Sequence, residues 1–141
     1  MSKIELSRVK GDYGFEATDE HGHTLKMDSS PESGGWDFGV RPMQTLLMGL
    51  GGCSAIDVIA ILKKQRQQVT DYKMVINGER EKGVEPSLWK DINMEFHLYG
   101  QIDEDKANKA VELSINKYCS VAATLKKAGA TIKWKVFVHQ A

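Results

Sequence analysis

The chain has 141 residues, enough for one domain with a single core and too few for several. Apolar residues make up 41% and charged residues 27%, and the 19 basic and 19 acidic side chains cancel. That balance excludes a broad basic field for nucleic acid and an acidic solvating tail, and it suits an oligomer that buries much of its surface.

The N-terminus, MSKIELSRVK, lacks the apolar stretch of a secretory signal, so a cytoplasmic location is expected. In a reducing compartment the two cysteines, Cys53 and Cys119, are not expected to form a purely structural disulfide. Ile4 and Leu6, then Tyr13, Phe15 and Ala17, alternate with polar neighbours and predict two strands. DEHGHT, Asp19 to Thr24, predicts a turn, and Thr24 to Asp28 the returning strand. His21 and His23 in that turn are two ligands without a third, a weak zinc signal and more simply an exposed polar turn. SSPESGGWDFGV predicts a loop whose large apolar residues, Trp36 and Phe38, need something to pack against, such as another subunit.

Pro42 suits the first turn of a helix predicted from about Met43 to Gln67. Met43 to Leu62 carries one formal charge, Asp57, so the stretch is long enough to span a bilayer. Asp57 in mid-stretch and three glycines argue instead for the buried core helix of a soluble protein. Its end, KKQRQQ, is solvated, with cations that complement the helix C-terminus.

Two strands follow, marked by Tyr72, Met74 and Ile76 and by Ile92, Met94, Phe96 and Leu98, with a long connection containing Gly83 and Pro86. Asp103 is the expected N-cap of the next helix, whose inner face carries Ala107, Ala110, Val111, Ser114, Ile115 and Tyr118. Ser120 can cap a short last helix and Gly129 can end it. Ile132, Trp134, Val136 and Val138 mark the final strand. His97 and His139 have no thiol partner in sequence. The order predicts an α+β fold with antiparallel pairing and helices on one side.

Two settings are expected for the cysteines. Cys53 lies about three turns into an apolar helix, where a thiol is ordinarily inert packing unless a cation such as Arg41 reaches it. Cys119 precedes a helix start, where free N–H groups favour the thiolate. Gly51 and Gly52 before Cys53 imply either close packing of another element or close approach of a substrate or second thiol. Asp57, one turn beyond Cys53, would raise a neighbouring thiol's pKa and is expected to pair with a basic group or a backbone feature.

The segment P-M-x-x-L-L-M-G-L-G-G-C-S-A-I-D-V resembles the central helix of the OsmC/Ohr family, and K-Y-C-S-V-A-A-T-L resembles its second-cysteine helix. The order of elements is similar over nearly the whole chain, here a single OsmC-like domain of residues 1–141. What the resemblance implies is an intertwined homodimer with antiparallel sheets around a long buried helix. It also implies a thiol peroxidase of organic, lipid-like hydroperoxides that serves oxidative-stress defence. Carried over, Cys53 attacks the peroxide, Cys119 resolves the sulfenic acid as a disulfide, and a dihydrolipoyl-type or other dithiol restores both thiols. No metal, organic cofactor, nucleic acid or membrane is implied.

Arg41 is the candidate activating cation, with Arg8 on the first strand the weaker alternative. Met43, Gln44, Leu47, Leu50, Trp36 and Phe38 are the candidate pocket, with Leu46 and Met48 beside them. One departure stands out. Where the family peroxidases often have N-P-E, this chain has Arg41, Pro42 and Met43, followed by Gln44, with no carboxylate to hold an arginine. The sequence looks more like a less characterised OsmC-related branch. The competing expectations are a non-enzymatic binder of small apolar ligands and a redox sensor.

Overall fold

The computed structural model describes residues 1–140. Two compact units, Met1–Leu46 and Leu47–Ala141, divide the chain.

The first unit is a meander of β1 (Glu5–Lys10), β2 (Gly14–Thr18) and β3 (Thr24–Met27), antiparallel in that order. Alternation sets the register: Phe15 faces Met27 and Ala17 faces Leu25 across β2 and β3. The β2–β3 turn is organised by Asp19, which accepts from the backbone N–H groups of His21 and His23 and lies 2.9 Å from His23 Nδ1. His23 therefore serves the turn. A 3₁₀ turn, Pro31–Ser33, sits in the loop after β3, and a single bridge joins Met27 to Val40.

The helix α1 runs over Pro42–Lys64. Gln44 Oε1 accepts from the Arg41 backbone N–H at 3.0 Å, which satisfies one of the donors a helix start leaves open. Two features differ from expectation. The helix ends at Lys64 rather than Gln67, because Arg66 adopts a left-handed φ of 59° and the N–H of Gln67 turns back to the Leu62 carbonyl at 2.9 Å. The helix is also not buried all round. Within the chain one stripe, Leu50, Ser54, Val58 and Leu62, is buried at four-residue spacing. Leu46, Met48, Ile56 and Ile59 are exposed, Ile56 at 72%. By length and composition α1 could cross a membrane, a test that soluble core helices also pass.

The second unit continues with β4 (Gln68–Arg80) and β5 (Trp89–Gln101), a long antiparallel hairpin. After it come α2 (Glu104–Leu113), a π-helical turn (Ser114–Tyr118), α3 (Ser120–Lys127) and β6 (Thr131–His139). Asp103 caps α2 as expected, its carboxylate accepting from the Lys106 N–H at 3.0 Å. Gly129, at φ 107°, ends α3. The expected antiparallel pairing does not extend to β6, which lies parallel to β5 with Ile92 opposite Ile132 and Phe96 opposite Val136. The connection explains this, because a helical crossover returns the chain in the same direction and a tight turn cannot.

Ile92, Met94, Phe96 and Leu98 give β5 a fully buried face. Ala107, Ala110 and Val111 of α2, Ala122 and Leu125 of α3, and Leu50, Val58 and Leu62 of α1 belong to the same core. Each fully buried large apolar side chain contributes roughly 1.5–3 kcal/mol. On the other face of the sheet His97 and His139 stack, with Nδ1 of the first 3.0 Å from Nε2 of the second, so these two histidines partner each other.

A candidate dithiol site

The two cysteines, 66 positions apart in sequence, meet inside the second unit. Cys53 Sγ, Cys119 Sγ and a carboxylate oxygen of Asp57 all lie within 4.8 Å of one another. Both thiols are free. Three local structures bring them together.

The first is α1, where Cys53 and Asp57 stand one turn apart on the same side. A β-carbon on Gly51 would come within 2.9 Å of the Ile76 side chain on β4, so this glycine lets the helix approach the sheet closely. A β-carbon on Gly52 would meet open space within the chain. The packing explanation holds for Gly51 and leaves Gly52 available for an approaching molecule.

The second is the π-helical turn. Its wider winding lets the Cys119 N–H donate to the Ser114 carbonyl at 2.7 Å. Ser114 is fully buried, and its hydroxyl donates to Asp57 Oδ2 at 2.9 Å. Lys126 Nζ donates to the Ile115 carbonyl and to Asn116 Oδ1, both at 2.9 Å, which ties α3 to the turn.

The third is the start of α3. Its N-cap is Cys119 rather than the expected Ser120, and the Cys119 sulfur accepts from the Ala122 N–H at 3.3 Å. The expectation that this setting favours the thiolate is corrected. Burial pushes the Cys119 thiol up from 9.0 to about 11, and the nearby Cys53 thiol adds to the rise. The Ala122 N–H works in the opposite direction and is outweighed. Cys119 is only 3% exposed, whereas Cys53 is half-buried and so the more accessible of the pair. Asp57 has Ser114 as its partner, and no ion pair to a basic group forms at this acid among the described residues.

The other candidate residues are placed as follows. The Arg41 guanidinium donates to the Gly39 carbonyl at 2.9 Å and lies 3.7 Å from Asp37. Gln44 caps α1 and is exposed; Met43 is half-buried. Trp36 is 64% exposed, with Lys10 Nζ 5.2 Å from its ring, and Lys26 Nζ stands at the same distance from Phe38. Gly11, at φ 58°, lies so close to the Trp36 indole that a β-carbon would come within 2.5 Å of Nε1. Leu50 is in the core and Leu47 packs against it.

One organising residue carried no sequence signal beyond its place before a loop. Asp28 is 2% exposed and accepts from three backbone N–H groups: Ser29 at 2.7 Å, Trp36 at 2.8 Å and Phe38 at 3.2 Å. The Trp36 N–H is the main reason its carboxyl is held below the ordinary value, against the opposing effect of burial. Asp28 fixes the segment that displays both loop aromatics.

Comparison with known proteins agrees with this architecture. The family described as OsmC-like protein matches residues 33–135. Protein YhfA of Escherichia coli is 43% identical over 125 residues, covering 86% of this chain and 90% of its own. The crystal structure of a hypothetical protein from Aquifex aeolicus superposes with a TM-score of 0.81 at 31% identity, over 98% of this chain and 97% of that one. An organic hydroperoxide resistance protein OsmC from Legionella pneumophila shares the fold, with a TM-score of 0.69 at 16% identity over 99% and 96% of the two chains. The expected α+β architecture, the paired cysteines and these matches lead to one conclusion: the chain belongs to the OsmC-like protein family.

Proposed function

We propose that the protein is a cysteine-based peroxidase that reduces organic hydroperoxides in the cytoplasm, as a homodimer of single OsmC-like domains. The observation that carries this reading is the meeting of an accessible Cys53 with a buried Cys119 within 4.8 Å. The name of the Legionella pneumophila structure, an organic hydroperoxide resistance protein, supports the substrate class.

In the first step the Cys53 thiolate attacks one peroxide oxygen. The O–O bond breaks, the alcohol leaves with a proton, and Cys53 becomes a sulfenic acid. In the second, the Cys119 sulfur displaces the hydroxyl of that acid, forming a Cys53–Cys119 disulfide and water. A dithiol reductant of the dihydrolipoyl type returns the two electrons and two protons. The buried Cys119 suits the resolving role, because its raised pKa keeps it a protonated thiol until Cys53 is oxidised. In this proposal Arg41 is the activating cation, and Trp36, Phe38, Met43, Gln44, Leu47 and Leu50 serve as the pocket. The exposed apolar residues of α1, Leu46, Met48, Ile56 and Ile59, support a second copy as their cover.

Cumene hydroperoxide tests the cycle directly. The reduced protein is expected to consume it, lose both thiols and yield the Cys53–Cys119 disulfide by mass spectrometry. Cys53→Ser is expected to abolish turnover, and Arg41→Ala to slow the first step by about 10²-fold or more if it stabilises the developing charge. Unchanged turnover in Cys53→Ser would exclude the peroxidase and leave a binder of apolar ligands. Disulfide formation without rapid turnover would identify a redox sensor.

A further inference from the structure

Asp57 has no part in the peroxide cycle, yet it completes the cluster. It sits one turn after Cys53, and its Oδ2 is held by the buried Ser114 hydroxyl at 2.9 Å. That bond orients the carboxylate, and among the described residues no group donates to its second oxygen. When the two thiols ionise, three anionic donors converge within 4.8 Å. The ion pairs of this unit among the described residues are Lys82 with Glu79, His97 with Glu95 and Lys109 with Glu112, so none brings a cation to them.

We propose that Cys53, Cys119 and Asp57 form a binding site for a divalent metal of intermediate softness, zinc above all, in the reduced protein. Two sulfurs and one oxygen are a donor set for zinc or cobalt, whereas magnesium and calcium take oxygen ligands. Zinc–sulfur bonds of about 2.3 Å in a tetrahedral shell place the two sulfurs roughly 3.8 Å apart, inside the observed limit. Ser114 is the outer partner that fixes the carboxylate ligand, as hydrogen-bonded neighbours do in metal sites. Three protein ligands leave a fourth position for water or an incoming thiol.

Binding exchanges two thiol protons for one metal ion and involves no oxidation: two S–H bonds break, two metal–sulfur bonds form, and two protons leave. A disulfide offers no thiolates, so oxidation releases the ion. The functional consequence rests on the peroxidase reading: a metal-bound Cys53 has its nucleophilic electron pair engaged, so the ion reversibly silences the site. The binding itself does not depend on that reading.

Cobalt(II) is the probe, added to the reduced full chain without oxygen. One equivalent is expected to give thiolate-to-cobalt charge-transfer bands and tetrahedral visible bands, both removed by one equivalent of zinc. Asp57→Asn and Ser114→Ala, each checked for native circular dichroism, are expected to weaken binding by roughly 10- to 100-fold. Absence of the bands in the reduced protein, or wild-type affinity in both variants, overturns the three-ligand site. Cobalt binding in a protein without peroxide turnover leaves the metal site standing and removes the proposed function. Turnover that a molar excess of zinc leaves unchanged overturns the silencing role.

Discussion

Asp28 is a buried acid and Asp57 a half-buried one; neither has an ion pair among the described residues, and they are handled in opposite ways. Asp28 directs both oxygens at three backbone N–H groups of the loop that follows it. Asp57 accepts from one hydroxyl, and one of its carboxylate oxygens lies within 4.8 Å of both sulfurs. The first arrangement leaves little capacity for an incoming partner and holds a shape. The second leaves donor capacity at a place where two reactive groups already stand. A carboxylate drawn into the fold is thus read by what its oxygens have left to do, beyond its degree of burial.

Replacing the two acids should break the comparison most sharply. Asp28→Ala strands three N–H groups, so a clear fall in melting temperature is expected, with new protease cleavage between Ser29 and Phe38. Asp57→Asn keeps an oxygen for the Ser114 hydroxyl, so its melting temperature should stay close to that of the parent while metal binding falls. Equal melting temperatures for the two variants would erase the distinction. The pH dependence follows from the direction of the Asp28 shift. Its folded pKa lies below the ordinary 3.8, so its stabilising contribution is present above that value and is lost as pH falls through the lower folded value. Acid unfolding of the parent is therefore expected to begin with release of the loop between Ser29 and Phe38 from Asp28, monitored by protease cleavage in that loop.

The two sulfurs sharpen the same contrast at an intermediate scale. Cys119 is an acid whose folded pKa is raised from 9.0 to about 11, so its neutral form is favoured by the fold. The stability it contributes is complete below 9.0 and is lost as pH rises toward 11. Alkylation by iodoacetamide is expected to mark Cys53 well before Cys119 at neutral pH. In Cys53→Ser the Cys119 rate should still climb mainly above pH 9, because burial is the largest cause of its shift. Faster labelling of Cys119 than of Cys53 in the reduced parent would reverse the assigned roles.

Much of this was legible in the sequence, for reasons that differ by element. The strands and helices follow from periods of two and 3.6, because those periods are what bury one face of each element. Cys53 and Asp57 could be placed on one side of a helix from their spacing alone. Ser114 could not be matched to Asp57, because 57 residues separate them and the turn between Ser114 and Cys119 is π-helical, a winding without a compositional mark. The end of α1 depends on Arg66 in a left-handed conformation that glycine ordinarily signals. Parallel pairing of β6 depends on which edge is free for it, and the alternation of Ile132, Trp134 and Val136 is the same for either direction. For Cys119, the expected help from the N–H groups at the helix start is present but smaller than the effect of burial, a balance that only three dimensions decide.

The smallest expected effect concerns a third polar group, with no partner where Asp28 has three. The Tyr72 hydroxyl on β4 is buried and makes no hydrogen bond among the described residues, while its ring packs edge-on against Phe96. Burial pushes its phenol above the ordinary value, which marks how costly charge would be there. Leaving such a hydroxyl unsatisfied costs about 1–3 kcal/mol, and removing it keeps the ring contact. Tyr72→Phe is therefore expected to raise stability in urea by about 1 kcal/mol, with cobalt binding and peroxide turnover unchanged. A loss of stability would mean that the hydroxyl has a partner in the assembled protein, which would put Tyr72 at the surface between copies. A change in turnover at equal stability would move it from the structural class, where Asp28 stands, to that of Asp57.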